Sequence, residues 1–82
     1  MKAVIIEDEK IAAQSLKSVI NQLDGSIEVV AILQTVEDSV EWLANNQHPD
    51  LLFVDIHLAD GSSFSIFEKV KVDCPIIFTT AY

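Results

Sequence analysis

Three acidic side chains and one hydroxyl follow the ends of short apolar runs: Glu7 and Asp8 follow one run, Asp55 another and Thr80 a third. Carboxylates that approach within a few ångströms repel one another unless a cation neutralises them. Hard oxygen ligands suit Mg²⁺, and a metal-screened carboxylate can attack phosphorus as a nucleophile. We predict Asp55 as that nucleophile, with the Thr80 hydroxyl and the Ala81 backbone N–H donating to the phosphoryl oxygens.

Each of these residues also has an ordinary structural explanation when it is taken alone. An acidic run after a first strand often complements the dipole of the next helix, and we expect this of Glu9. A single aspartate at a strand end, such as Asp55, is usually a turn residue, and Thr79 and Thr80 are good strand formers. Their joint occurrence at the ends of several runs favours the functional interpretation.

Four short runs rich in β-branched or aromatic residues predict strands. They lie at 2–6, 27–33, 51–54 and 75–79. Because these runs are almost continuously apolar, we expect them to be buried on both faces, as strands of parallel sheets are.

Helical spacing separates the strands. The apolar stripes that predict the three helices are Ala12, Leu16, Val19, Ile20 and Leu23; then Val36, Val40, Leu43 and Ala44; then Phe64, Phe67 and Val70, with Ile66 beside them. Thr35 and Asp38 resemble a capping box at the start of the second helix, and the third is expected to end near Asp73. Short connections of this kind predict crossover helices and a parallel α/β sheet, in which ligands bind beyond the carboxyl ends of the strands.

Composition excludes several classes of function. The chain has 82 residues, enough for one small domain, and a net charge of −8 that would repel nucleic acid. No apolar run is long enough for a signal peptide or a membrane span, and a single cysteine, Cys74, cannot form an internal disulfide. We therefore expect a cytoplasmic protein that binds neither membranes nor, through this segment, DNA.

The order "VIIEDE", "HPDLLFVDIHLADG" and "PIIFTTAY" resembles the receiver domain of two-component response regulators, most closely receivers that precede LytTR-type DNA-binding domains. The resemblance runs over the whole chain. It implies a flavodoxin-like (CheY-like) α/β fold with strand order 2-1-3-4. It also implies a phosphoacceptor that is not an enzyme, controls an output domain, and takes its phosphoryl group from a sensor histidine kinase.

The resemblance also implies roles for individual residues. Asp55 matches the phosphoacceptor, and Glu7 and Asp8 match the acidic pair that binds Mg²⁺, Asp8 directly and Glu7 through water. His57 matches the position whose backbone carbonyl is a metal ligand. Thr80 matches the switch hydroxyl that moves toward the phosphoryl group.

Members of this family continue into a further helix, strand and helix, with a lysine that pairs with the acceptor. On that resemblance, residues 1–82 are expected to be part of a receiver domain. Lys69 and Lys71 cannot take the role of the family's lysine, because they fall on the third predicted helix. We therefore expect phosphorylation of Asp55 in this chain to be slow or absent. We also expect a half-bare sheet face through which the chain self-associates.

Other functions remain open on the residues alone. A haloacid-dehalogenase-like phosphatase would need its nucleophilic aspartate on the first strand, whereas Asp55 follows the third predicted strand. A nucleotide-binding unit would need a glycine-rich loop after the first strand, whereas the chain has only two glycines. The main alternative is an interaction module, unphosphorylated or dimerising, whose acidic site is vestigial.

Overall fold

The apolar runs pair as one parallel sheet. The computed structural model describes residues 1–23 and 25–79, and its main sheet has the order β2-β1-β3-β6. The strands are β1 (Lys2–Ile6), β2 (Glu28–Leu33), β3 (Leu51–Val54), β4 (His57–Leu58), β5 (Gly61–Ser62) and β6 (Ile76–Phe78). The helices are α1 (Lys10–Leu23), α2 (Val36–Asn45) and α3 (Phe64–Lys69). The predicted 2-1-3-4 order is confirmed, since β6 is the fourth strand that the sequence predicts.

Helices cover the sheet from both sides, as right-handed crossovers require. On one face, Ala13 and Ile20 of α1 pack around Ile5. On the other face, α2 and α3 pack on the alternate side chains of β1 and β3, and Leu43 and Ile66 are buried there. Residues 3–6 of β1 are all 0% exposed, which explains why this strand lacks the polar alternation of a half-exposed one.

The helices differ from the predicted stripes in their orientation. In α1, Ala13 is fully buried, whereas Val19 and Leu23 are 48% and 81% exposed. In α3, Ile66 is the buried residue and Phe64 is exposed. This helix also ends at Lys69 rather than near Asp73, because Val70 has already adopted an extended conformation.

The start of α2 follows the predicted capping pattern. Thr35 is the N-cap in extended conformation, and its Oγ1 accepts a hydrogen bond from the Asp38 N–H at 3.0 Å. Trp42, which lies off the apolar stripe, is half-buried against the core.

Two features complete the description. A small antiparallel hairpin, β4–β5, follows β3 and was not predicted, because two-residue strands carry no detectable periodicity. None of the helices in residues 1–23 and 25–79 combines the length and apolar character that spanning a membrane requires.

Candidate phosphoacceptor site

The pairing of β1 with β3 brings the predicted acidic residues together. Ile6 and Val54 are paired at the ends of these two strands, and the Asp55 N–H donates to the Ile6 carbonyl at 2.9 Å. Glu7 leaves β1 with its N–H bonded to the Leu33 carbonyl of β2, also at 2.9 Å. Both neighbouring strands thus fix the backbone at the point where the acidic side chains begin.

The acidic cluster consists of Glu7, Asp8 and Asp55. One carboxylate oxygen from each residue lies within 4.8 Å of the others, and all three side chains are half-buried. This set of hard oxygen donors, still open to water, fits Mg²⁺, which binds through a few carboxylates and keeps several water ligands. Glu9 is outside the cluster: it is exposed and immediately precedes α1, as expected of a helix-start residue.

The acidity of Glu7 differs from that of an ordinary glutamate. Burial is the main cause that raises its pKa from 4.5 to about 7, and neighbouring Asp8 and Asp55 raise it further. The hydrogen bond from the Glu9 N–H to Glu7 Oε2, at 3.2 Å, acts in the opposite direction. Near neutral pH the cluster therefore retains a proton for part of the time, and a divalent cation would replace it.

The segment after Asp55 forms the β4–β5 hairpin. His57 is exposed on β4 and pairs with Ser62, and the Ser63 N–H donates to the Ile56 carbonyl at 2.8 Å across the base of the hairpin. Leu58 is buried in the core. The predicted metal-binding position at His57 thus lies between two anchored points.

The other two predicted site residues, Thr80 and Ala81, lie outside the described residues. The last residue described is Thr79, whose N–H donates to the Val54 carbonyl at 2.9 Å. This bond continues the pairing of β6 with β3 to the same edge of the sheet as Asp55.

Asp60 is a residue of this region that the sequence did not single out. Its Oδ1 accepts the Val36 N–H at 2.8 Å and its Oδ2 the Glu37 N–H at 3.2 Å, so it caps α2 from across the sheet edge. The hydrogen bond from Val36 is the main cause that lowers the Asp60 pKa. In the sequence, Asp60 and Gly61 indicate only a turn, in which Gly61 has a φ of +141°.

Doubly wound parallel sheets bind ligands beyond the carboxyl ends of their strands, and in this chain three carboxylates lie at that edge. The family model for the response regulator receiver domain matches residues 3–82. The chain therefore belongs to the response regulator receiver domain family, as the resemblance implied.

Individual relatives agree with this assignment. The chain is 34% identical to the sensory transduction protein LytT of Bacillus anthracis and to the transcriptional regulatory protein LytR of Staphylococcus aureus (strain N315), each alignment covering all of this chain and 34% of the relative. The crystal structure of the response regulator PhyR from Brucella abortus superposes with a TM-score of 0.83 at 30% identity, over 99% of this chain and 33% of that one. The chain thus spans about a third of the length of the curated relatives it matches.

Membership of the family establishes a general role. Receiver domains are signalling and regulatory modules of two-component systems rather than ordinary enzymes, they interact with sensor histidine kinases, and they bind Mg²⁺ at an acidic site. This chain has an acidic cluster of its own, formed by Glu7, Asp8 and Asp55.

Proposed function

We propose that this chain is the phosphoacceptor part of a response regulator, within a receiver domain that includes residues 1–82. Asp55 takes a phosphoryl group from the phosphohistidine of a sensor histidine kinase. Glu7, Asp8 and Asp55, together with the His57 backbone carbonyl, hold Mg²⁺. The observation that carries the proposal is the convergence of three carboxylates from two strands within 4.8 Å.

The reaction assigned to Asp55 is a direct displacement. An Oδ atom of Asp55 forms a bond to phosphorus while the bond from phosphorus to the imidazole nitrogen breaks, and the nitrogen keeps the electron pair. Bound Mg²⁺ supplies the positive charge that offsets the phosphoryl and carboxylate oxygens. The strand end holds Asp55 in place beforehand, because its N–H is tied to the Ile6 carbonyl.

Further parts of the proposal come from the family. Thr80 and Ala81 would donate hydrogen bonds to the phosphoryl oxygens, and the output would be transcriptional control through another segment of a cytoplasmic regulator. Transcriptional control is supported by the name of one relative that is 34% identical to this chain, the transcriptional regulatory protein LytR. Self-association through the sheet face that carries Phe53 and the 45%-exposed Ile77 stays a prediction.

The first test is Mg²⁺ binding, followed through the backbone NMR signals of the acidic cluster. We expect Mg²⁺ to shift the signals of Glu7, Asp8 and Asp55, and Asp55→Asn to weaken the affinity by about tenfold because it replaces a charged carboxylate ligand with a neutral amide oxygen. Asp73→Asn is the matched control, since this exposed aspartate lies in the connection between α3 and β6. An unchanged affinity in Asp55→Asn would instead favour the interaction module with a vestigial acidic site.

The second test locates the phosphoryl group. After long incubation with acetyl phosphate and Mg²⁺, mass spectrometry of peptides should find any phosphoryl group on Asp55, and it should disappear in Asp55→Asn. A phosphoryl group on another residue, or binding of Mg²⁺ away from the cluster, would contradict the proposal.

A further inference from the structure

Asp60 connects the hairpin that follows the phosphoacceptor to the start of a different helix. It lies at the turn between β4 and β5, and its two carboxylate oxygens accept the N–H groups of Val36 and Glu37 at 2.8 and 3.2 Å. These partners are 24 and 23 positions away in sequence. The contact is therefore tertiary, and it joins the segment after β3 to the helix after β2, with β1 between these strands in the sheet.

Two side chains cap different N–H groups at the start of α2. Thr35 Oγ1 serves the Asp38 N–H, whereas Asp60 serves the N–H groups of Val36 and Glu37, which have no partner within the helix. A carboxylate here also complements the positive end of the helix dipole. Val36 is only 6% exposed, so its bond to Asp60 is partly buried although Asp60 itself is exposed.

The hairpin is held at three points. Its base is joined by the Ser63 N–H to the Ile56 carbonyl, Leu58 is in the core, and Asp60 fastens the turn to α2. His57, which is exposed, lies between the base of the hairpin and Leu58. Without Asp60, the turn would keep Leu58 as its nearest anchor and lose its hydrogen bonds to the start of α2.

We propose that Asp60 is a positioning residue, which holds the His57 backbone in place for metal binding by fastening the β4–β5 turn to the N-terminus of α2. The inference deepens the proposed function and rests on it for the role of the His57 carbonyl. Partners that orient metal ligands commonly change metal affinity by about 10–100-fold when they are removed. Asp60 acts on one ligand of several, so we expect the lower end of that range.

The test compares Asp60→Ala and Asp60→Asn with Asp50→Ala in the same chain. Asp50 is a matched control because its Oδ2 accepts a backbone N–H, that of Lys2 at 2.7 Å, next to the opposite end of β1 and β3. Removing either carboxylate changes the net charge equally. An effect of charge or of general stability would therefore appear in both alanine variants.

Two readouts are needed, calorimetry for the Mg²⁺ dissociation constant and NMR for the metal-free backbone. We expect Asp60→Ala to raise the dissociation constant by about tenfold and to shift the His57 and Leu58 signals before metal is added. Asp60→Asn keeps one acceptor oxygen without the charge, so it should recover part of the affinity. Asp50→Ala should leave both readouts close to wild type.

Several outcomes would overturn the inference. Wild-type affinity and unmoved His57 signals in Asp60→Ala would do so, as would an equal loss of affinity in Asp50→Ala. If Asp60→Ala does not fold, the same wild-type behaviour in Asp60→Asn contradicts it. Should the wild-type chain fail to bind Mg²⁺, the proposed function is wrong, while the metal-free His57 signals still show whether Asp60 holds the hairpin.

Discussion

Asp55→Asn should stabilise the metal-free protein, although Asp55 is the residue on which the proposed activity depends. The substitution removes one charge from three carboxylates whose oxygens lie within 4.8 Å of one another. At that separation two unit charges repel by about 0.9 kcal/mol in water and about 3.5 kcal/mol at an effective dielectric constant of 20. Because the side chains are half-exposed, we expect a gain near the lower value, about 1 kcal/mol.

The gain should depend on pH in a defined direction. The Glu7 pKa is raised to about 7 in the folded protein, so the fold binds a proton that the unfolded chain, with a pKa near 4.5, has already released. Stability of the metal-free wild type therefore falls as pH rises from 4.5 through 7. At pH 6 Glu7 is mostly neutral and the gain from Asp55→Asn is small, whereas at pH 8 Glu7 is charged and the gain is larger.

Thermal unfolding, followed by circular dichroism in EDTA at pH 6 and pH 8, measures this difference. One kcal/mol corresponds to a rise in Tm of about 4–8 °C for a domain of this size. At a Mg²⁺ concentration tenfold above the wild-type Kd, the wild type gains about 1.4 kcal/mol and a variant with tenfold weaker binding gains about 0.4 kcal/mol, so Mg²⁺ should remove most of the variant's advantage. Asp73→Asn controls for net charge. The reasoning is refuted if Asp55→Asn is no more stable than wild type at pH 8, or if its gain equals that of the control.

Three further predictions concern stability and reactivity. Leu52→Ala, at a fully buried position of β3, should lower the free energy of unfolding by about 2–5 kcal/mol in urea titrations; a loss below 1 kcal/mol would contradict the packing described. The Val36 N–H is the main cause that lowers the pKa of Asp60 from 3.8. The contribution of Asp60 to the free energy of unfolding is therefore present above pH 3.8 and is lost as the pH falls below it. Asp60→Asn should therefore show a shallower decline in urea midpoint between pH 5 and pH 3, and an equally steep one would count against the cap. Burial raises the pKa of the Cys74 thiol, and Asp50 and Asp73 raise it further, so iodoacetamide should modify Cys74 more slowly at pH 7.5 than it modifies a free thiol.

The strands were predictable because buried parallel strands leave a strong local signal, whereas their order was implied by the resemblance to receiver domains. Continuous apolar runs at 2–6 and 51–54, separated by helical spacing, determine a parallel sheet, and the carboxyl ends then meet at one edge. The acidic cluster follows from that rule, since Glu7, Asp8 and Asp55 each come directly after a strand.

What could not be predicted depends on contacts between distant segments. The apolar spacing of α1 is compatible with burial of Leu23 or of Ala13, and only the packing of the helix around Ile5 of β1 selects Ala13. The bond from Asp60 to α2 leaves no local pattern, because a turn aspartate before glycine has the same sequence with or without a tertiary partner. The raised pKa of Glu7 likewise requires the neighbours that folding supplies.

β1 precedes the other strands in the chain, yet it lies between β2 and β3. The fully buried strand β1 is therefore synthesised first. Its second edge stays unpaired until β3 has been synthesised. Pairings between such distant segments are formed slowly. The same late event brings Glu7 to Asp55, so the acidic cluster forms only once β1 and β3 are paired.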